Sequence, residues 1–338
     1  MLALACRKDP PPLNLPTAGA PLTLFPTHTS PPPTPQPVTA TLEPTLPPQL
    51  TPTSDPPPPP TSEPTVTPLP DPPPSPAPFV VRFAVIGDYG SGDQAAADVA
   101  NLVVSWNPDF IITTGDNNYP DGDSNDIDEN IGQYYHSFIY PYTGIYGEGA
   151  DTNRFFPSLG NHDLYTRDGQ PYFDYFTLPG NERYYDFIWG PVHLYAINNN
   201  DSEPDGIGAS SVQAGWLRDS LAYSSSPWDL VYMHYPPYSS ARHGSTDWAQ
   251  WSYQEWGATA VIAAHDHTYE RLLINGFPYF VNGLGGGARY GFETIVDGSM
   301  ARYNADHGAM LIEASDQRII FMFITHTGEI VDLYEIFR

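Results

Sequence analysis

From Phe79 onward the chain alternates short apolar runs with stretches in which apolar residues recur every three or four positions. Val80–Ile86, Asp109–Thr113 and Phe155–Leu159 have the composition of buried strands. Between the first two, Ala95, Val99, Leu102, Val103 and Trp106 stand at helical spacing and predict a helix over 93–106. Strand, helix and strand in close succession make a βαβ unit with parallel neighbours. Further strands are predicted at Val192–Ile197, Asp229–Met233 and Thr259–Ala264, and further helices at Asp126–Phe138, Val212–Tyr223 and Trp248–Trp256. The tail alternates through Met310–Glu313 and Ile319–Phe323, then turns at Thr327-Gly328-Glu329 into a last strand, Ile330–Phe337. This order predicts sheets packed together with helices outside.

The pattern is absent before Phe79. Of the 40 prolines, 28 lie there, with almost no aromatics. Residues 1–78 therefore read as a disordered Pro/Thr-rich spacer, and 79–338 as one large domain. The start, Met1-Leu2-Ala3-Leu4-Ala5-Cys6, admits two readings. One is the end of a bacterial lipoprotein signal, which requires a start upstream of Met1 and gives a lipid anchor through Cys6 and a secreted or surface-tethered domain. The other is an ordinary terminal cysteine. No apolar run reaches the length of a membrane span.

The only lysine, Lys8, and the only cysteine, Cys6, precede the domain. Schiff-base lysines, P-loop lysines, thiol nucleophiles, cysteine-ligated zinc and disulfides are thereby excluded from it. The domain carries 34 Asp and Glu against 11 Arg. So acidic a surface repels nucleic acid, whereas a small phosphorylated substrate stays compatible if bound cations set the local field.

Five predicted strands each end in residues able to hold a metal: Asp88, Asp116, Asn161, His234, and the pair His265 and His267. Each fragment alone is ordinary: Gly-Asp is common turn chemistry, and a lone histidine is usually structural. Their repetition at successive strand ends points to a two-metal site of oxygen and imidazole donors, suited to Fe, Zn, Mn or Mg.

Gly87-Asp88-Tyr89-Gly90, Gly115-Asp116-Asn117-Asn118-Tyr119, Gly160-Asn161-His162-Asp163, Val231-Tyr232-Met233-His234 and Ala264-His265-Asp266-His267 resemble, in order, the five motif blocks of the calcineurin-like metallophosphatases. Tyr119, and the spacing from His234 to His243-Gly244, resemble the small purple acid phosphatases within that superfamily. The resemblance covers residues 80–338 and departs at Ala264, where the family usually has glycine. It implies an α/β (α+β) fold, a four-layer αββα sandwich of two sheets flanked by helices. It further implies that Asp88, Tyr119 and His267 hold Fe(III), that Asp116 bridges, and that Asn161, His234 and His265 complete a site for a divalent metal (Fe, Zn or Mn). His162 and His243 would face the substrate without binding metal. The implied activity is hydrolysis of phosphomonoesters by a metal-bound hydroxide, with a histidine protonating the leaving group. A phosphodiesterase or nucleotide hydrolase of the same superfamily is the alternative, and a non-catalytic surface metal-binding module a more remote one.

Other features carry less. Gly283–Gly287 lacks the Lys of a phosphate loop and reads as a connection beside the pocket. His193, His307 and His326 read as structural. Asp121, Asp123, Asp126 and Asp128 read as a solvated face. Asp163 is expected to orient an imidazole, and Asp266 to be a solvated turn carboxylate.

Overall fold

The computed structural model describes residues 80–338. The expectations for the proline-rich spacer and for Cys6 lie outside the described residues. The chain first lays down β1 (Val81–Ile86), β2 (Phe110–Thr113) and β3 (Phe155–Pro157), all parallel. It then builds a second sheet from β4 (Tyr185–Trp189), β5 (Val192–Ala196), β6 (Trp228–Tyr232), β7 (Ala260–Ala263), β8 (Tyr269–Ile274), β9 (Phe277–Asn282) and β10 (Ser299–Tyr303). Finally β11 (Gly308–Ala314), β12 (Arg318–Thr325) and β13 (Ile330–Phe337) return to the first sheet. The first sheet has the order β13-β12-β11-β1-β2-β3, and the second β10-β8-β9-β7-β6-β5-β4.

Aromatic rings join the two sheets face to face. Phe110 stacks on Phe83 at 4.6 Å between centroids and meets Phe187 and Trp189 of the other sheet at 5.6 and 5.0 Å. Phe280 of β9 stacks on Phe321 of β12 at 4.7 Å. The helix Gln94–Ser105 buries Val99, Ala100 and Val103 in the same core. The helix Val212–Tyr223 buries Ala214, Leu217 and Leu221 with Tyr195 and Val231 of the second sheet. Asp93 and Ser211 cap these helices, each accepting an N–H three residues on. With both faces covered, β2 and β6 are buried at every position. Phe110-Ile111-Ile112 accordingly reads as an apolar run rather than alternation, while β6 interrupts Trp228 and Leu230 with one buried carboxylate, Asp229, which accepts from Tyr195 Oη at 3.0 Å. The architecture is the α/β two-sheet sandwich that the resemblance implied.

Two predicted helices are broken. Over 126–138 the chain forms a π turn, a single α turn and a 3₁₀ turn. Asp128 is drawn into accepting Tyr142 Oη at 2.7 Å, Tyr175 Oη at 2.8 Å and the Ile145 N–H at 2.9 Å. It is thus a tie between loops, not part of a solvated face. Over 248–256 a 3₁₀ turn, Asp247–Ala249, and a short helix, Tyr253–Trp256, flank Gln250, whose ψ of 71° is not helical. The break buries the Trp251 ring, with its indole N–H shared by the Trp248 and Ile207 carbonyls. The hairpin β8–β9 escapes a reading by apolar runs, although Asn275-Gly276, at φ 54° and 84°, is the usual two-residue hairpin signal.

Phe110 is fully buried and is one of the rings through which the two sheets interlock. Phe110→Ala is expected to cost about 3–5 kcal/mol, read as a lowered midpoint of denaturant unfolding.

Candidate metal centre

The ends of β1, β2 and β3 in one sheet and of β6 and β7 in the other meet along one edge. Parallel pairing of Ile86 with Thr113 brings Asp88 and Asp116 out side by side. The second sheet is tied to them directly: His234 Nδ1 bonds the Thr114 carbonyl at 2.8 Å, and the His265 N–H donates to Asp88 Oδ2 at 3.0 Å. Asp88, Asp116 and His265 all have left-handed backbones, with φ of 54°, 53° and 67°. Such a conformation costs a non-glycine residue about 1–3 kcal/mol and clusters at functional sites. Gly115 is required between them, since a Cβ there would lie 2.6 Å from His234 Nδ1. The unusual Ala264 is accommodated: the left-handed residue is His265, and Gly87 opposite leaves room for the Ala264 methyl.

The donor atoms fall into two groups that share Asp116. In the first, Tyr119 Oη lies 3.3 Å from Asp88 Oδ1, 3.0 Å from Asp116 Oδ2 and 3.2 Å from His267 Nε2. In the second, His234 Nε2 lies 3.4 Å from Asp116 Oδ1, 3.0 Å from Asn161 Oδ1 and 3.2 Å from His265 Nδ1. All seven predicted ligands are therefore together.

Hydrogen counting tests whether cations fit. His267 Nδ1 and His234 Nδ1 face carbonyl oxygens, which only accept, so both Nε2 atoms point inward as lone pairs. Asn161 turns its amide nitrogen to Tyr165 Oη, leaving its oxygen inward. In the first group one phenol proton faces three acceptors. Asp88 and Asp116 are almost fully buried, and among the described residues neither has a guanidinium within 4.0 Å. Converging lone pairs and buried negative charge call for cations, so the residues present fit a metal pair.

Titration follows the same field. Burial, then Asp88 and Asp116, push the Tyr119 phenol well above its ordinary range. Burial and the neighbouring His234, His243 and His267 push His265 down to about 2, keeping it neutral. For His267 burial acts downward, but Asp88 and the Ala288 carbonyl outweigh it and raise the net value.

His162 and His243 stand at the mouth. The His162 N–H donates to Asp116 Oδ1 at 3.0 Å, its Nδ1 bonds the Pro120 carbonyl, and its Nε2 lies 4.0 Å from Asp116 Oδ2. The His243 ring lies 4.3 Å from that of His265.

Two expectations about carboxylates are corrected. Asp163 orients no imidazole: it accepts the N–H groups of Asn117, Asn118 and Gly160 at 2.9, 3.1 and 2.8 Å, and the Asn117 side-chain amide at 2.8 Å. Asp266 is not solvated. It is fully buried and accepts the His243 N–H at 2.8 Å, the Gly244 N–H at 3.2 Å and Ser239 Oγ at 2.5 Å, so it holds the loop that carries His243. The glycine stretch packs on the site: Gly285 and Gly287 donate to the Gly87 and Asp88 carbonyls at 3.0 and 2.9 Å. His307 supports it through the Gly287 carbonyl, His193 pairs with Asp186, and His326 pairs with Asp306, all structural as expected.

Sequence reading missed the aromatic walls. Tyr290 stacks on His267 at 4.2 Å and 7°, Tyr235 lies 4.3 Å from His265, and Tyr165 lies 5.0 Å from His162. No periodicity marks them; their position after a ligand or a glycine run is the only clue. A cavity of 470 Å³ lined by Asp186, His193, Trp216 and Tyr223 contains none of the ligands, so chemistry rather than concavity identifies the site.

Residues 81–269 match the family model described as Calcineurin-like phosphoesterase. The chain is 26% identical over 245 residues to tartrate-resistant acid phosphatase type 5 of Rattus norvegicus, covering 61% of this chain and 72% of that protein. It is 24% identical over 236 residues to the Homo sapiens protein of the same name, covering 61% and 73%. Among solved structures, purple acid phosphatase PPD1 from yellow lupin seeds superposes with a TM-score of 0.62 at 18% identity, over 77% of this chain and 54% of that one. The likeness thus spans about half of the lupin protein. GAP50, the anchor in the inner membrane complex of Plasmodium, gives a TM-score of 0.58 at 18% identity, over 76% and 89%.

Asp163 joins the loop of Asp116 and Tyr119 to the loop of Asn161 and His162. Asp163→Ala strands four buried donors and is expected to cost at least about 2 kcal/mol, measured by urea unfolding, with metal content falling in parallel.

Proposed function

Since the chain belongs to the calcineurin-like phosphoesterase family, we propose that it is a purple-acid-phosphatase-type hydrolase of phosphomonoesters. The observation that carries this reading is the division of Asp116, whose Oδ2 meets Tyr119 and whose Oδ1 meets His234. Asp88, Tyr119 and His267 would hold Fe(III), and Asn161, His234 and His265 a divalent Fe, Zn or Mn, with Asp116 shared. When bound, such a pair supplies Lewis acidity to the phosphate oxygens and lowers the pKa of a water molecule. Tyr119 and Asp88 distinguish the two halves, because a phenol held neutral by burial and two carboxylates ionises only beside a strongly acidic cation.

The chain's own residues complete the chemistry. The bond of His162 Nδ1 to the Pro120 carbonyl leaves Nε2 turned to the site, placed to hold a proton near a phosphate oxygen. His243, fixed by Asp266 through its backbone, faces His265 and is placed to give a proton to the departing alkoxide. Tyr165, Tyr235 and Tyr290 wall the mouth and limit water around the reacting group. The domain would act outside the cytoplasm, a placement that rests on the Pro/Thr-rich composition of residues 1–78 alone.

The test is turnover of p-nitrophenyl phosphate against bis(p-nitrophenyl) phosphate by the metal-loaded protein; a faster diester reaction would replace the monoesterase reading with the diesterase one. His162→Ala and His243→Ala are each expected to retain metal by elemental analysis yet lose about 10²–10³-fold in kcat. The oxidised native protein is expected to be purple or pink through phenolate-to-Fe(III) charge transfer. Tyr119→Phe should abolish that band with the fold unchanged by circular dichroism, and a colourless, iron-free, fully active wild type would defeat the iron assignment.

A further inference from the structure

Most arginines of the described domain have an assigned partner. Arg82, Arg183, Arg218, Arg271 and Arg318 pair with carboxylates. Arg154 donates to backbone carbonyls under Phe138, and Arg289 turns to the Asn304 carbonyl. Arg242, like Arg154, Arg167, Arg289, Arg302 and Arg338, has no carboxylate within 4.0 Å among the described residues, although the domain holds 34 acidic residues against 11 arginines; what sets it apart is its place beside the candidate metal centre. It is exposed, and its guanidinium sits 5.3 Å above the ring of Tyr290.

That place is built and lies at the metal centre. Tyr290 is the ring stacked on His267, and its backbone N–H donates to the His267 carbonyl at 3.0 Å. The same ring lies 5.3 Å from His243, the neighbour of Arg242 in sequence. The two loops are zipped together: Ala241 bridges Phe292, Glu293 N–H donates to the Ser240 carbonyl at 2.9 Å, and Val296 N–H to Ser240 Oγ at 2.9 Å. Buried Glu270 anchors this seam by accepting the Ser240 N–H at 2.8 Å and Ser240 Oγ at 2.5 Å. A guanidinium is thus held one ring away from a metal ligand and beside a catalytic histidine, with its fork free.

We propose that Arg242 is a specificity-determining residue that binds a carboxylate on the leaving group, so that the site favours phosphomonoesters of hydroxy acids over those of neutral alcohols. The inference rests on the phosphomonoesterase reading above. A planar guanidinium matches a carboxylate with two parallel hydrogen bonds. One positive charge balances one carboxylate, whereas a second phosphate would leave excess negative charge in an already acidic domain. Prior stacking on Tyr290 reduces the side-chain freedom lost on binding.

The experiment compares kcat/KM for 3-phosphoglycerate and glycerol 3-phosphate, which differ at the carboxylate, using the metal-loaded full chain. In Arg242→Ala the ratio of the two values is expected to fall about tenfold, mainly through KM for 3-phosphoglycerate, as loss of a binding contact requires. Arg242→Lys should recover part of the loss. Arg218→Ala, which removes the same charge at a distant paired site, should leave the ratio at its wild-type value. A ratio within twofold of wild type in Arg242→Ala, or an equal fall in Arg218→Ala, overturns the assignment while leaving the phosphatase reading standing. No turnover of either ester by a wild type that hydrolyses p-nitrophenyl phosphate overturns the assignment alone, and no turnover of any of the three esters overturns both.

Discussion

Two carboxylates, Asp88 and Asp116, are buried where the two sheets meet, and no arginine lies within ion-pair distance of either among the described residues. Burying charge without a counter-charge is among the most expensive things a fold can do. The local structure is arranged around that cost. Three backbones at this edge take left-handed conformations, and His265 and His162 aim their N–H groups at the two carboxylates. What remains uncompensated is met only by cations, which is why the edge reads as a metal centre.

Buried carboxylates are used here in two opposite ways, and their partners distinguish them. Asp163, Asp266 and Glu270 face N–H and O–H donors that fill their hydrogen-bonding capacity. They fix the loops of Asn117, His243 and Ser240. Asp88 and Asp116 instead share their space with the lone pairs of imidazoles and an amide oxygen. The first kind are ties and the second are candidate ligands. Removing a tie therefore displaces candidate ligands without removing any of them.

Aromatic rings connect the centre to solvent. Tyr290, Tyr235 and Tyr165 lie against three imidazoles of the site, and the acidic domain brings a free guanidinium to this rim through Tyr290. Arg242 and Tyr290 at this rim are carried by loops 239–243 and 290–296, which are joined in one seam beside the candidate metal centre.

The sequence by itself determined the layers and marked the candidate donors. Strands covered on both faces are largely apolar, and the polar residues that follow mark where each ends, so Asp88, Asp116, Asn161, His234, His265 and His267 were legible near strand ends. The resemblance added Tyr119, His162 and His243. Only the tertiary structure decided what depends on contacts between distant segments. It broke the helices over 126–138 and 248–256, because Asp128 and Trp251 found partners far along the chain. It made Asp266 a buried tie rather than a solvated turn, through Ser239 and His243. It also set Arg242 above Tyr290, a pairing across 48 residues that neither periodicity nor spacing encodes, because the seam that joins their loops exists only once the second sheet has formed.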